Sequence, residues 1–157
     1  MKLNFLCNSH RENLILEPDK AIRSCNNMRE IGFELINQQR YKEAVSYLGC
    51  AMEVAEILII GRELDGREAI DWYLQAATGL SCSLKKLSRL DECKEVYKSV
   101  INRLSNELKF SQAMASELKA QISCMRLELM SLEDECLREE QFLQPVTFEK
   151  SSMTVLH

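Results

Sequence analysis

Proline is nearly absent from this 157-residue chain, and its two copies, Pro18 and Pro145, stand near the ends. An interior proline costs a helix about 3 kcal/mol, so the proline-free interval between them is open to long helices. Glycine is scarce too, at 5 residues, which excludes a collagen-like or low-complexity chain. Long apolar runs are missing. The longest, Ile57-Leu58-Ile59-Ile60, falls far short of the ~20 residues that span a bilayer. The stretch Met1 to His10 has too little apolar length for a signal peptide. The expectation is a protein that is neither secreted nor membrane-spanning.

Catalytic chemistry is thinly supplied. The two histidines are His10 and His157, and no Gly-rich phosphate loop or Ser/His/Asp set can be assembled. The sequence predicts a non-enzyme without a cofactor. An excess of basic charge is also lacking. With a net charge of -4 and a pI near 5.3, the chain has no broad surface for neutralising phosphates, so nucleic acid is not expected as a partner. The cysteines, at 7, 25, 50, 82, 93, 124 and 136, are odd in number and loosely spaced. Cys50, Cys82, Cys93 and Cys124 fall inside helical patterns, where a free thiol behaves as a small buried hydrophobe; a reducing cytoplasm is the expected setting.

What is present is an all-α pattern. Hydrophobic residues make up 46% and charged residues 28% of the chain, a globular composition for one domain. A first helix is predicted from Pro18-Asp19 to Asn37, with Ile22, Met28, Ile31 and Leu35 on its apolar stripe. A second runs from Tyr41 to about Gly61, the expected C-cap, through Ala44, Val45, Leu48, Met52, Ala55 and Ile59. Asp65-Gly66-Arg67-Glu68 has the form of a capping box opening a third, striped by Ile70, Leu74, Ala77, Ser81, Leu84 and Leu87. A fourth spans roughly 90 to 106, and helical spacing resumes from Phe110. There Ser131-Leu132-Glu133-Asp134 leaves open whether one helix or two follow, for five or six in all. Residues 18–144 thus form the helical domain. Residues 1–17 are an N-terminal segment that Leu3, Phe5, Leu14 and Leu16 would anchor in extended form, and 145–157 read as a frayed, disordered tail.

Aligning Ala44 with Cys93 superimposes two helical pairs. In the first, Met28, Ile31-Gly32, Leu35, Tyr41, Ala44, Leu48 and Ala51 follow the order bulky, apolar-small, apolar, Tyr, Ala, large apolar, Ala. This unit resembles a tetratricopeptide repeat. The second, Ala77, Leu80-Ser81, Leu84, Leu90, Cys93, Tyr97, Val100, is a degenerate version. The units are 49 residues apart where the family's repeat has 34, which implies that helices 2 and 3 overhang by about two turns each, with Ile57 to Ile60 burying the overhang. The resemblance covers residues 25 to 105. It implies antiparallel hairpins stacked as a short right-handed superhelix, and binding of a protein or peptide, with self-association into a homodimer left open.

In such repeats the first helix of each pair lines the concave face. The resemblance places Arg29, Phe33 and Asn37 there from helix 1, and Trp72, Gln75, Gly79, Cys82 and Lys86 from helix 3; an aromatic beside Arg has the composition of a binding hot spot. The competing expectation is that the N-terminal segment or the overhangs cover Phe33 and Trp72. The carboxylate clamp of some family members is not expected, since Phe33 stands where an Asn would be needed. Two further readings stay open: a chaperone for a secreted effector, and a metal-responsive regulator in which Cys25 joins Cys7 and His10. The acidic run Glu133, Asp134, Glu135, Glu139 and Glu140 reads as a solvated helix face, or as one that meets a basic partner.

Overall fold

A computed structural model describes residues 3–143, which form six α-helices and no strand. These are α1 (Asn8–Leu16), α2 (Pro18–Asn37), α3 (Tyr41–Gly61), α4 (Gly66–Lys86), α5 (Leu90–Glu107) and α6 (Ala115–Leu143). The all-α expectation holds, and each helix from α2 to α6 packs on its neighbour in the chain. The tail expected at 145–157 lies outside the described residues.

The two hairpins turn in the same way. In the first, Gln39 takes a left-handed φ of 58°, the amide of Gln39 donates to Ile36 O, and that of Arg40 donates to Leu35 O at 2.8 Å. In the second, Ser88 has φ 55°, with Ser88 N bonded to Lys85 O and Arg89 N to Leu84 O at 2.9 Å. This pairing of the last carbonyls with amides beyond the helix end is a Schellman-type closure. An ion pair then repeats across each turn, Arg40 with Glu43 and Arg89 with Glu92. Gln39 and Ser88, Arg40 and Arg89, and Glu43 and Glu92 are each 49 residues apart, the same offset that aligns Ala44 with Cys93. The repeat is therefore built into the hairpin turns as well as into the apolar stripes.

Three local expectations need correction, and one question left open by the sequence is answered. Gly61 is still helical, and the left-handed C-cap is Arg62 (φ 57°), whose guanidinium is held 2.7 Å from the buried Glu107 carboxylate and lies 5.6 Å from the Phe110 ring centroid. The capping box is half formed: Asp65 accepts from Arg67 N at 3.3 Å, and among the described residues Glu68 makes no return bond. Ser131 to Asp134 start no new helix, because Leu132 keeps the period of Leu118 and Ile122 and is buried with them, so α6 is one helix of 29 residues. The N-terminal segment is extended only to Cys7 and then forms α1.

That segment is tied to α3. The Glu53 carboxylate, within an otherwise apolar stretch of α3, accepts from Phe5 N (2.7 Å), Leu6 N (3.0 Å) and the Arg11 guanidinium (2.8 Å). Phe5 fills the space left by Gly49, where a Cβ would sit 2.3 Å from the ring. Leu14 is fully buried, whereas Leu16 is exposed and anchors nothing. The overhang of α3 is closed by Ile57, Leu58 and Ile59, while Ile60 remains at the surface. Further along, Glu56 with Arg103 and Arg62 with Glu107 bridge α3 to α5. By length and composition α3 alone among the described helices is apolar enough to cross a bilayer, but 67% of its most apolar window is buried inside this bundle. Packing against α2 and α4 gives that apolar character a use in the core.

The centre of the bundle is Leu48. A Cβ on Gly32 of α2 would lie 2.5 Å from Leu48 Cγ, and one on Gly79 of α4 would lie 2.9 Å from Leu48 Cδ1. Ala44, one turn earlier, is fully buried. Gly32→Ala is expected to lower stability by about 1–3 kcal/mol through overpacking, despite the ~1 kcal/mol that alanine gains in helix propensity. Ala44→Leu should cost a similar ~1–3 kcal/mol. An unchanged urea midpoint in either variant would show that the junction is looser than described. For the N-terminal tie, Glu53→Ala strands the buried Leu6 amide and the partly buried Phe5 amide, at about 1–3 kcal/mol for a buried unsatisfied group. Hydrogen exchange at Phe5 and Leu6 should accelerate by an order of magnitude or more; unchanged protection there would contradict the tie.

Candidate binding groove

Helices α4 and α6 flank α5 without approaching one another: no Cα of one lies within 8 Å of a Cα of the other. Between them is a cleft of about 490 Å³. Leu74, Ala77, Thr78, Ser81 and Cys82 line it from α4, Cys124, Met125 and Glu128 from α6, and Tyr97 of α5 forms part of its floor. Two ion pairs join its walls at separate levels, Arg67 with Glu117 and Lys85 with Glu128 (3.4 Å). All four side chains are well exposed, and such pairs contribute at most ~1 kcal/mol each.

The floor is polar at one end. Lys85 Nζ lies 5.4 Å from the Tyr97 ring centroid. Burial pulls Lys85 downward, but the Tyr97 hydroxyl and the Glu128 carboxylate outweigh it and hold the ammonium above the usual lysine value. Burial raises the Tyr97 phenol in turn, with Lys85 opposing. Ser81 Oγ is buried at the cleft wall without a hydrogen-bond partner among the described residues, although the neighbouring Ser83 donates back to Gly79 O at 2.9 Å. A buried hydroxyl left unpaired costs about 1–3 kcal/mol, a cost that a polar group entering the cleft would remove.

The cleft continues into a shallower depression lined by Phe33, Asp71, Leu74, Gln75, Thr78, Gln121 and Met125. Of the residues expected from the sequence, Phe33 and Gln75 line it, while Trp72 lines an adjoining shallow hollow with Asp71 and Gln75. Arg29 stacks over Trp72 at 4.4 Å, donates to Gln75 Oε1 at 2.6 Å and is braced by Asn26 Oδ1 at 2.8 Å. Phe33 leans on α4, its ring 3.0 Å from where a Gly79 Cβ would be. Trp72 and Phe33 are each half-buried. The cover comes from α4 and Arg29 and not from the N-terminal segment, which lies along α3. Lys86 lines the deep cleft at the other end. Asn37, the exposed last residue of α2, lines neither.

Several cleft residues were not anticipated: Tyr97, Cys124, Met125 and Glu128 among them. In the sequence Tyr97 shows only as a position of the repeat pattern and α6 only as an apolar stripe, so the groove-facing side of α6 has no register to be read from. The cysteines divide differently from expectation. Cys93 is buried and Cys50 half-buried, but Cys82 and Cys124 are exposed on the two walls of the cleft. Cys25 lies in the core, donates to Ala51 O at 3.5 Å, and is pushed up to about 12 by burial, with Arg29 opposing. It is therefore not available to Cys7 and His10, which are exposed, and no group of three His, Cys, Asp or Glu side chains suited to a metal forms among the described residues.

No protein-family model matches this chain, and neither a curated protein nor a solved structure is significantly similar to it. In the folded protein Cys7, Cys82 and Cys124 should be alkylated readily, whereas Cys25 and Cys93 should react only on unfolding, because the thiolate is the reactive form and burial disfavours it. Peptide mapping after brief iodoacetamide treatment checks this. Native labelling of Cys25, or protection of Cys82, would contradict the cleft geometry.

Proposed function

We propose that this chain is a non-enzymatic, tetratricopeptide-like interaction module of the cytoplasm that binds a peptide or helix of a partner protein along its concave face. One observation carries the reading: α4 and α6 stand apart over an open, mostly apolar cleft that runs on into the depression lined by Phe33 and Gln75, beside which Arg29 stacks over Trp72. Ligand sites are commonly concave, apolar and furnished with a few fixed polar groups, here Lys85, Lys86, Tyr97, Gln75 and the unpaired Ser81 hydroxyl. An amphipathic segment would lay apolar side chains over Leu74, Ala77 and Met125 and keep its polar side toward solvent. The 49-residue repeat of turn, ion pair and small-residue position is the further support for the family likeness.

The test is selection of peptides from a displayed library on the immobilised protein, followed by binding to variants. Thr78→Arg, at an exposed position of the groove, should reduce binding of selected peptides by about tenfold or more, the scale of a disrupted interface centre, with no change in melting temperature. Bound peptide should also protect Cys82 and Cys124 from alkylation while leaving Cys7 reactive. Phe33→Ala with Trp72→Ala should weaken the same peptides. Being half-buried, the pair should also lower stability by about 1–3 kcal/mol, between the cost of a surface and of a core truncation. Peptides that bind Thr78→Arg as well as the parent, with both cleft thiols still reactive, would place the binding surface elsewhere.

A further inference from the structure

The charges that face the groove are sorted along its length. At one end Glu68 and Asp71 of α4 line the shallow hollows around Trp72. Both are exposed, and neither makes an ion pair or a side-chain hydrogen bond among the described residues. The other acids there are engaged, Glu117 by the Arg67 guanidinium and Asp65 by the Arg67 amide. Arg29 is occupied by Trp72 and Gln75 and lines neither hollow. At the other end the free groups are donors. Lys86 lines the cleft without a partner among the described residues, and the Ser81 hydroxyl is buried and unpaired. The acid of that end, Glu128, is held by Lys85, and Glu135, about 10 Å further along α6, lines no part of the cleft.

Helical geometry keeps these ends on one face. The fifteen residues from Asp71 to Lys86, at about 100° each, bring Lys86 to within about 60° of Asp71, on the side of Thr78 and Cys82. Along the axis the two are about 22 Å apart, four turns of a docked helix. Such a helix is matched when an acid lies over Lys86 and a base over Asp71 and Glu68. Running antiparallel to α4, it carries the acid in its first turn and the base in its last, where each also complements its own dipole. Running parallel, it would carry both charges at the wrong ends.

We infer that the groove's partner is an amphipathic helix of about four turns, acidic in its first turn and basic in its last, lying antiparallel to α4. The inference rests on the groove being the binding surface. Its apolar side covers Leu74, Ala77 and Met125, and the charged ends set direction and specificity more than affinity.

A displayed library of helices of about 18 residues tests it, with a constant leucine face and Asp or Lys at the flanking positions of the first and last turns. Binders that protect Cys82 and Cys124 of the full chain from alkylation should be mostly acid-first. In such a binder a bromoacetyl group at the N-terminus should alkylate Cys82, which is about 6 Å along α4 from Lys86 and about 16 Å from Asp71; the same group at the C-terminus should not. Lys86→Glu should weaken the binder about fivefold or more, and replacing its first-turn acids by glutamine should abolish that dependence. Asp71→Lys should couple in the same way to the last-turn bases. Thiol-protecting binders whose C-terminal group reacts instead, or whose charges show no coupling to Lys86 and Asp71, would overturn the inference and leave the groove reading standing. Cleft thiols protected by no library member would overturn both. Thiols already shielded in the free chain would show a groove filled by this protein itself, which overturns the inference as well.

Discussion

Leu48 is the residue on which the placement of the other helices turns. Its side chain occupies the space that Gly32 and Gly79 leave open, and α2 and α4 both meet α3 there. Close-packed interiors tolerate little change in volume, so a methyl group at either glycine pushes a helix away. The consequence reaches the surface directly. With α2 and α4 held close, Phe33 of one leans over Gly79 of the other, and Arg29 reaches both Trp72 and Gln75. The aromatic depression is the outer side of the same contact that Leu48 fills from within.

Around that junction the chain uses polar groups to fix what apolar packing leaves free. Glu53 lies in the most apolar helix and would be costly there as an isolated charge. It is satisfied by two backbone amides and Arg11, and so converts a liability in α3 into a fastening for residues that have little packing of their own. Glu107, similarly buried, holds Arg62, which lets a non-glycine residue take the left-handed cap of α3. In both places the buried acid sits on one element and its donor on a segment distant in sequence, so these bonds define tertiary arrangement and add little to helix formation itself.

The helices were largely legible in the sequence because 3.6-residue periodicity and the placement of proline are local signals. Pro18, Tyr41 and the stripe of α4 needed no knowledge of partners. What was not legible depended on contacts between distant positions. Gly61 looks like a C-cap, but the chain continues one residue because Glu107 and Phe110 are there to receive Arg62. The Ser131 to Asp134 motif looks like a helix start, but burial of Leu132 carries α6 through it. The repeated Arg-x-x-Glu ahead of Ala44 and Cys93 stood in plain view, and its meaning appeared only once both ion pairs were seen to close the same turn. For the groove, the α2 and α4 sides could be assigned by resemblance. The α6 side could not, because its apolar residues lie on three faces and no repeat pattern chooses between them.

The cleft lies where glycine is absent from the facing sides of α4 and α6. Between α2 and α4 two glycines permit close approach. The facing positions of α4 and α6 instead carry Leu74, Thr78 and Cys82 on one side and Gln121, Met125 and Glu128 on the other, with no glycine among them. The space between the two helices is spanned by exposed ion pairs of small worth. The third helical pair that would cover α6 in a longer stack has no counterpart in the described residues, so α6 packs on α5 alone. Packing on α5 alone thus leaves α6 with a groove on one side and the exposed stripe of Leu127, Met130 and Leu137 on another. Both surfaces are what a helix packed on a single neighbour leaves exposed.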